Sequence, residues 1–193
     1  MEKTKNNTAL GSAIIGAKLL LICSVVAVVV AFVYQLTIAK YEENLQHTKD
    51  LAVAEIFGGA SVTCKEVYTD ATTGAVVYQV TGADGVVAGY CVESLAPGFG
   101  GDIGVMVGYR LDTSILGVGV VSMSETPGLG SKIGDAEYLK NYAGDKGELE
   151  LGRDVDAISG ATISSRALLD AVNRATDAFE DYRTETVLGG VAS

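Results

Sequence analysis

The sequence predicts an α+β domain carried behind one membrane-crossing helix, and three observations predict it. Residues 19–39 (LLLICSVVAVVVAFVYQLTIA) are 21 positions without a charge. Residues 61–122 hold five short β-rich runs separated by turn clusters. From Ile163 onward, Leu168, Ala171, Val172, Ala175 and Phe179 recur at helical spacing opposite Arg166, Asp170, Asn173, Arg174 and Asp177.

At about 1.5 Å per residue the first run spans roughly 30 Å, the thickness of a bilayer's hydrocarbon core. It is apolar all round, whereas a buried core helix normally keeps a polar face. A cleavable signal peptide would have a shorter apolar region and a small-residue cleavage site; the exit here reads TIAKYEEN. An uncleaved anchor is expected. Lys3, Lys5 and Lys18 against Glu2 give the first 18 residues a net charge of +2, which leaves −12 on the other 175 of a chain whose total is −10. The basic excess predicts a cytoplasmic N-terminus and an exterior domain after Ala39.

The expected organisation is a cytoplasmic N-terminus (1–18), a transmembrane helix (19–39), a stalk helix (40–59), an exterior domain (60–183) and a tail (184–193). In the stalk, Leu45, Leu51, Ala52, Ala54, Ile56 and Phe57 form a helical face closed by Gly58 and Gly59. The runs SVTCKEVYT, AVVYQVT, VVAGYCV, IGVMVGY and SILGVGVVS predict about five mainly antiparallel strands, with GADG as a hairpin signal. The stretch ESLAPGFGG reads as a turn cluster, SETPGLGSKIGDAEYLKNY as a glycine-punctuated loop leading to a short helix, and TETVLGGVAS as a loosely attached tail.

The strongly acidic domain excludes nucleic acid as a partner and would be repelled by anionic lipid, so the anchor must hold it at the membrane. Cys23 lies in the span as a packing residue; Cys64 and Cys91 are either one disulfide or two buried thiols. With no C-x-x-C spacing and a single, solvated His47, neither a metal site nor a Ser-His-Asp triad is expected.

Chemistry concentrates in DVDAISGATISSRALLDAVNRA, residues 154–175. Thr162 stands at the expected N-cap, where a hydroxyl accepts a backbone N–H. Free N–H groups and a partial positive charge at that place also suit a phosphate, and Gly160 and Ala161 remove bulk. An ordinary cap and an anion site are both open on these grounds. Ser164 and Ser165 lie inside the first turn and read as helix-start residues. Two glycine-rich loops, residues 96–104 and 124–134, match neither a Walker loop nor a G-x-G-x-x-G fingerprint. Both are longer than tight turns need, and exposed backbone suits a flat aromatic ligand, with Glu125 and Lys132 as the polar rim.

D-A-I-S-G-A-T (residues 156–162) resembles the D-x-x-[ST]-G-A-T flavinylation motif of the membrane-anchored FMN-binding domain, and E-T-P-G-L-G (residues 125–130) its second hallmark loop. G-F-G-G (residues 98–101) is similar to that family's G-[YF]-x-G pattern. With one N-terminal anchor and this length, the chain resembles the G subunits of the Rnf ion-translocating electron-transport complex over essentially its whole extent.

That resemblance implies FMN joined through its phosphate to the Thr162 hydroxyl by a separate flavin transferase that uses FAD. Asp156, Ser159, Gly160 and Ala161 would complete the recognised motif. The cofactor-binding set would extend to Glu125, Thr126, Pro127, Gly128, Leu129, Gly130, Lys132, Gly98, Phe99 and Gly100. It also implies an electron-carrier subunit with no catalytic residue of its own. Its partners would be the other membrane and peripheral subunits of a complex passing electrons between reduced ferredoxin and NAD, coupled to Na⁺ or H⁺ movement. The location would be the cell membrane (the inner membrane in a Gram-negative cell), with the flavin outside. The rival readings are the C-type component of the Na⁺-translocating NADH:quinone reductase and a non-redox anchored binding module.

Overall fold

A computed structural model describes the backbone of residues 2–59 and 61–189 and the side chains of residues 14–59 and 61–186. The side chains of Lys3 and Lys5, and residues 190–193 of the expected tail, lie outside these. Contacts divide the chain into two units, Met1–Asn44 and Leu45–Ser193.

The first unit is helix alone. Helix α1 (Glu2–Ile56) is continuous, and from Ile14 onward it is long and apolar enough to cross a membrane, its most apolar stretch reaching a mean hydropathy of 2.7. Residues 40–56, expected as a separate stalk, lie within this same helix. It ends in a Schellman motif: the Gly59 amide donates to the Ala54 carbonyl at 2.6 Å and the Gly58 amide to Glu55 at 3.1 Å. Gly58 and Gly59 take φ of 79° and 75°, the conformation that stops the helix where the sequence predicts.

The second unit is built on strands β1 (Val62–Thr69), β2 (Val76–Gly82), β3 (Val87–Pro97), β4 (Asp102–Tyr109) and β5 (Ile115–Ser122). They form one antiparallel sheet in sequential order. Contrary to expectation, residues 93–97 of the presumed turn cluster ESLAPGFGG belong to β3. Only residues 98–101 turn the chain, closed by the Gly98 amide on the Gly101 carbonyl at 2.9 Å. Alternating Leu95 and Ala96 continue the pleat, and the proline sits at the strand's end, where it is tolerated.

A 3-10 turn (Gly130–Gly134) and helix α2 (Ala136–Leu139) follow, and helix α3 (Thr162–Gly189) closes the domain. Helix continues through residues 184–189, where the sequence reads as a loose tail. Leu168, Ala171, Val172, Ala175 and Phe179 are all buried, facing Val92, Val105, Val107 and Tyr109 on one face of the sheet. The opposite face packs Val80, Cys91, Met106 and Val121 against Val53, with Ala52, Ile56 and Phe57 beside it. The seam is thus Lys49, Ala52, Val53 and Ile56 at i, i+3, i+4, i+7; Val53 is at its centre, while Leu51 is exposed.

Two features fix the α1 end to the sheet. Lys49 pairs with Glu93 of β3 at 2.7 Å, both half-buried, and the Tyr78 hydroxyl donates to the same carboxylate at 3.3 Å. Burial and the Glu93 charge push the Tyr78 phenol up to about 12. At Gly108, an added Cβ would stand 2.3 Å from Ile56 Cγ2, so the helix lies where no side chain leaves the strand.

The cysteines take neither expected form. All are free; Cys64 is exposed and Cys91 buried. They stand on β1 and β3 with β2 between, which sets the strands roughly 9–10 Å apart, beyond the reach of about 7 Å for a disulfide.

Candidate functional site

Three segments far apart in sequence meet at Glu125. This side chain is 8% exposed. The Phe99 and Gly100 amides of the β3–β4 turn donate to its Oε1 at 2.8 and 3.2 Å. The Ser164 hydroxyl, in the first turn of α3, donates to its Oε2 at 2.7 Å. Burial alone would raise this carboxyl; the bonds from Ser164, Gly100 and Phe99 outweigh it and hold it below the ordinary glutamate value. The glycines of two motifs are shaped around the carboxylate. An added Cβ at Gly98 would meet Oε1 at 2.3 Å, and one at Gly130 would meet Oε2 and Ser164 Oγ at 2.7 Å each.

Glu125 was expected at the rim of a ligand site. In the structure its carboxylate is buried and accepts hydrogen bonds from two turn amides and one serine. Above it opens a cleft of about 270 Å³, lined by Phe99, Glu125, Thr126, Leu129, Gly130, Gly160, Ala161, Thr162, Ile163 and Ser164. Its large apolar side chains face solvent: Phe99 is 68% exposed, Ile163 58% and Leu129 43%. A second cleft of about 170 Å³, lined by Pro97, Thr162, Ile163, Arg166, Ala167 and Asp170, shares Thr162 and Ile163 with the first.

The start of α3 differs from expectation by one residue. The Ala161 carbonyl accepts the first intrahelical bond, from the Ser165 amide at 2.9 Å, which makes Ala161 the N-cap and Thr162 the first helical residue. Thr162 therefore does not cap the helix; its side chain is exposed and makes no hydrogen bond among the described residues. The amides of Thr162, Ile163 and Ser164 likewise have no acceptor among the described residues. The serines, by contrast, are structural. Ser165 is fully buried and accepts the Ile158 amide at 3.0 Å, which pins the S-G-A-T turn to the helix. Ser164 is 3% exposed and committed to Glu125.

Of the residues singled out from sequence, Phe99, Glu125, Thr126, Leu129, Gly130, Gly160, Ala161 and Thr162 line the cleft. Gly98 and Gly100 shape the turn beneath it, and Pro127 and Gly128 carry the loop outside it. Lys132, Asp156 and Ser159 are exposed and line neither cleft. Asp156 contributes its carbonyl, which accepts the Tyr138 hydroxyl at 3.0 Å. Sequence reasoning missed Ile163 as a wall, and missed the burial of Ser164 and Ser165. The signal was there: both serines precede Leu168 and Leu169 by one turn, on the apolar side of the helix.

An antiparallel five-stranded sheet whose long helix opens beside two glycine turns is the frame of an FMN-binding domain, and the family model of that description matches residues 98–177. The G-type component of an ion-translocating oxidoreductase complex from Methanosarcina acetivorans is 35% identical over 168 residues, 82% of this chain and 89% of that protein. Its counterpart from Cereibacter sphaeroides is 37% identical over 128 residues, 61% of this chain and 58% of its own length. The crystal structure of the C-type component of the Na⁺-translocating NADH-quinone reductase from Parabacteroides distasonis shares the fold, with a TM-score of 0.58 at 19% identity over 76% of this chain and 95% of that one. The chain belongs to the family of G subunits of ion-translocating oxidoreductase complexes. It spans nearly all of the archaeal relative and about 58% of the bacterial one.

Proposed function

We propose that this chain is the electron-carrier subunit of a membrane-bound, Rnf-type ion-translocating oxidoreductase and carries FMN as a phosphoester of Thr162. The observation that carries the reading is the setting of that hydroxyl. It is exposed, free of internal hydrogen bonds among the described residues, and placed on the first turn of a 28-residue helix where three amides lack acceptors among them. A phosphodiester there would keep one negative charge beside the positive end of the helix dipole.

The neighbouring residues fit a flavin. Phe99, Leu129 and Ile163 offer apolar surface that a flat ring would cover, and the backbone of the two glycine turns offers edges for it. FMN, when bound, supplies the electron transfer itself. The chain holds and orients it and keeps a fixed carboxylate nearby. No acid–base residue is required, and the exposure of Asp156 and Ser159 outside both clefts supports a role for them in recognition by a flavin transferase.

The charge asymmetry favours an N-terminus in the cytoplasm and a flavin domain outside, where covalent attachment keeps the cofactor from being lost. The other subunits of the complex would be the donors and acceptors of its electrons. A C-type component of the NADH:quinone reductase shares the fold, but the identity over 89% of an archaeal G-type relative favours the Rnf-type assignment. Protein expressed with a flavin transferase should show a fluorescent band in a denaturing gel under ultraviolet light. A non-fluorescent band would refute the covalent attachment, and absence of flavin from the native protein as well would leave only an anchored, non-redox binding module.

A further inference from the structure

Glu125 lines the cleft and accepts three hydrogen bonds from the protein, two from the β3–β4 turn and one from Ser164 of α3. Phe99 and Ile163, two apolar walls of that cleft, stand on these same two elements. Among the described residues, the other hydrogen bonds of the turn at residues 98–101 are its own closing bond and strand pairing. Gly98 and Gly130 leave no room for anything larger around the two oxygens, so the site is built to seat a carboxylate at this point. Simple apolar packing would join the elements without burying a charge, which is costly unless fully hydrogen-bonded.

We infer that Glu125 is a positioning residue for the redox site: its carboxylate ties the Phe99 turn to the first turn of α3, sets the cleft between them, and places a fixed negative charge beside the group the cleft holds. This inference rests on the cleft being the flavin site. A carboxylate held there disfavours an added electron, so it lowers the potential of a bound redox group. Glu125→Gln removes the charge and keeps the size. Ser164→Ala keeps the charge and unties it from α3.

The test uses the full chain in detergent, with two readouts. The first is hydrogen exchange of the peptide covering Phe99 and Gly100 in protein made without a flavin transferase. Exchange should be on the order of tenfold faster in Glu125→Gln, since charge-assisted bonds are lost, and several-fold faster in Ser164→Ala. The second is the midpoint potential of the flavinylated protein, which should be more positive in Glu125→Gln and nearly unchanged in Ser164→Ala. Unchanged exchange together with an unchanged potential in Glu125→Gln overturns the inference while leaving the flavin in place. A wild-type protein that accepts no flavin overturns the reading beneath it instead. Should Glu125→Gln fail to fold, exchange in Ser164→Ala decides: a several-fold rise sustains the tie, and wild-type exchange refutes it.

Discussion

At Gly130, an added Cβ would stand 2.7 Å from both Glu125 Oε2 and Ser164 Oγ. Both atoms would have to shift, and with them the bond that joins them. Gly130→Ala should therefore cost about 1–3 kcal/mol, read as a lowered urea midpoint with unchanged slope. The same carboxylate gives the domain an acid limit. Its folded-state value lies below the ordinary one, so its contribution is complete above the unfolded glutamate value of about 4.3 and fades as pH falls through the lower folded value. Thermal unfolding followed downward from pH 6 should show wild type losing this increment, and Glu125→Gln, already without it, falling less steeply. Residue-scale roles were only partly legible in the sequence. Thr162 stood out through its motif, but whether Glu125 would face ligand or protein depended on two amides 25 and 26 residues away.

Strands and helices were more legible, because each carries its own periodic pattern. The five β-rich runs became five strands, and the stripe of α3 became its buried face. The exceptions have local causes. Residues 93–97 looked like a turn because of the glycines that follow them, yet they keep the strand's alternation. The α1 end packs through Val53 rather than Leu51, because a short amphipathic segment fits more than one face until its partner is known. That partner is a sheet face opened by Gly108. Gly108→Val should drive branched methyls into Ile56, which already lies 2.3 Å from an added Cβ, and displace the last turns of α1 at a cost of about 1–3 kcal/mol or more. Denaturation of the variant, monitored by near-ultraviolet circular dichroism of Tyr78 and its neighbours, measures that loss; a stability equal to wild type would mean that this face is not packed as described.

For the whole molecule, the sequence shows directly a run long and apolar enough to cross a membrane and is silent about which clefts form. An uncharged run of 21 residues can be recognised one residue at a time, whereas the site exists only when three segments converge. Orientation can be tested with the native thiols: Cys64 is exposed, Cys91 is buried, and Cys23 lies in the apolar run. A membrane-impermeant maleimide added to intact spheroplasts should label Cys64; labelling only after lysis would place the domain in the cytoplasm. The proposed function turns on one oxygen atom. Trypsin should release residues 154–166, DVDAISGATISSR, which holds four hydroxyls: Ser159, Thr162, Ser164 and Ser165. Fragmentation of that peptide from protein matured with a flavin transferase should place the FMN mass on Thr162, and Thr162→Val should abolish it. An adduct on any of the serines, or one that survives Thr162→Val, would contradict the assignment.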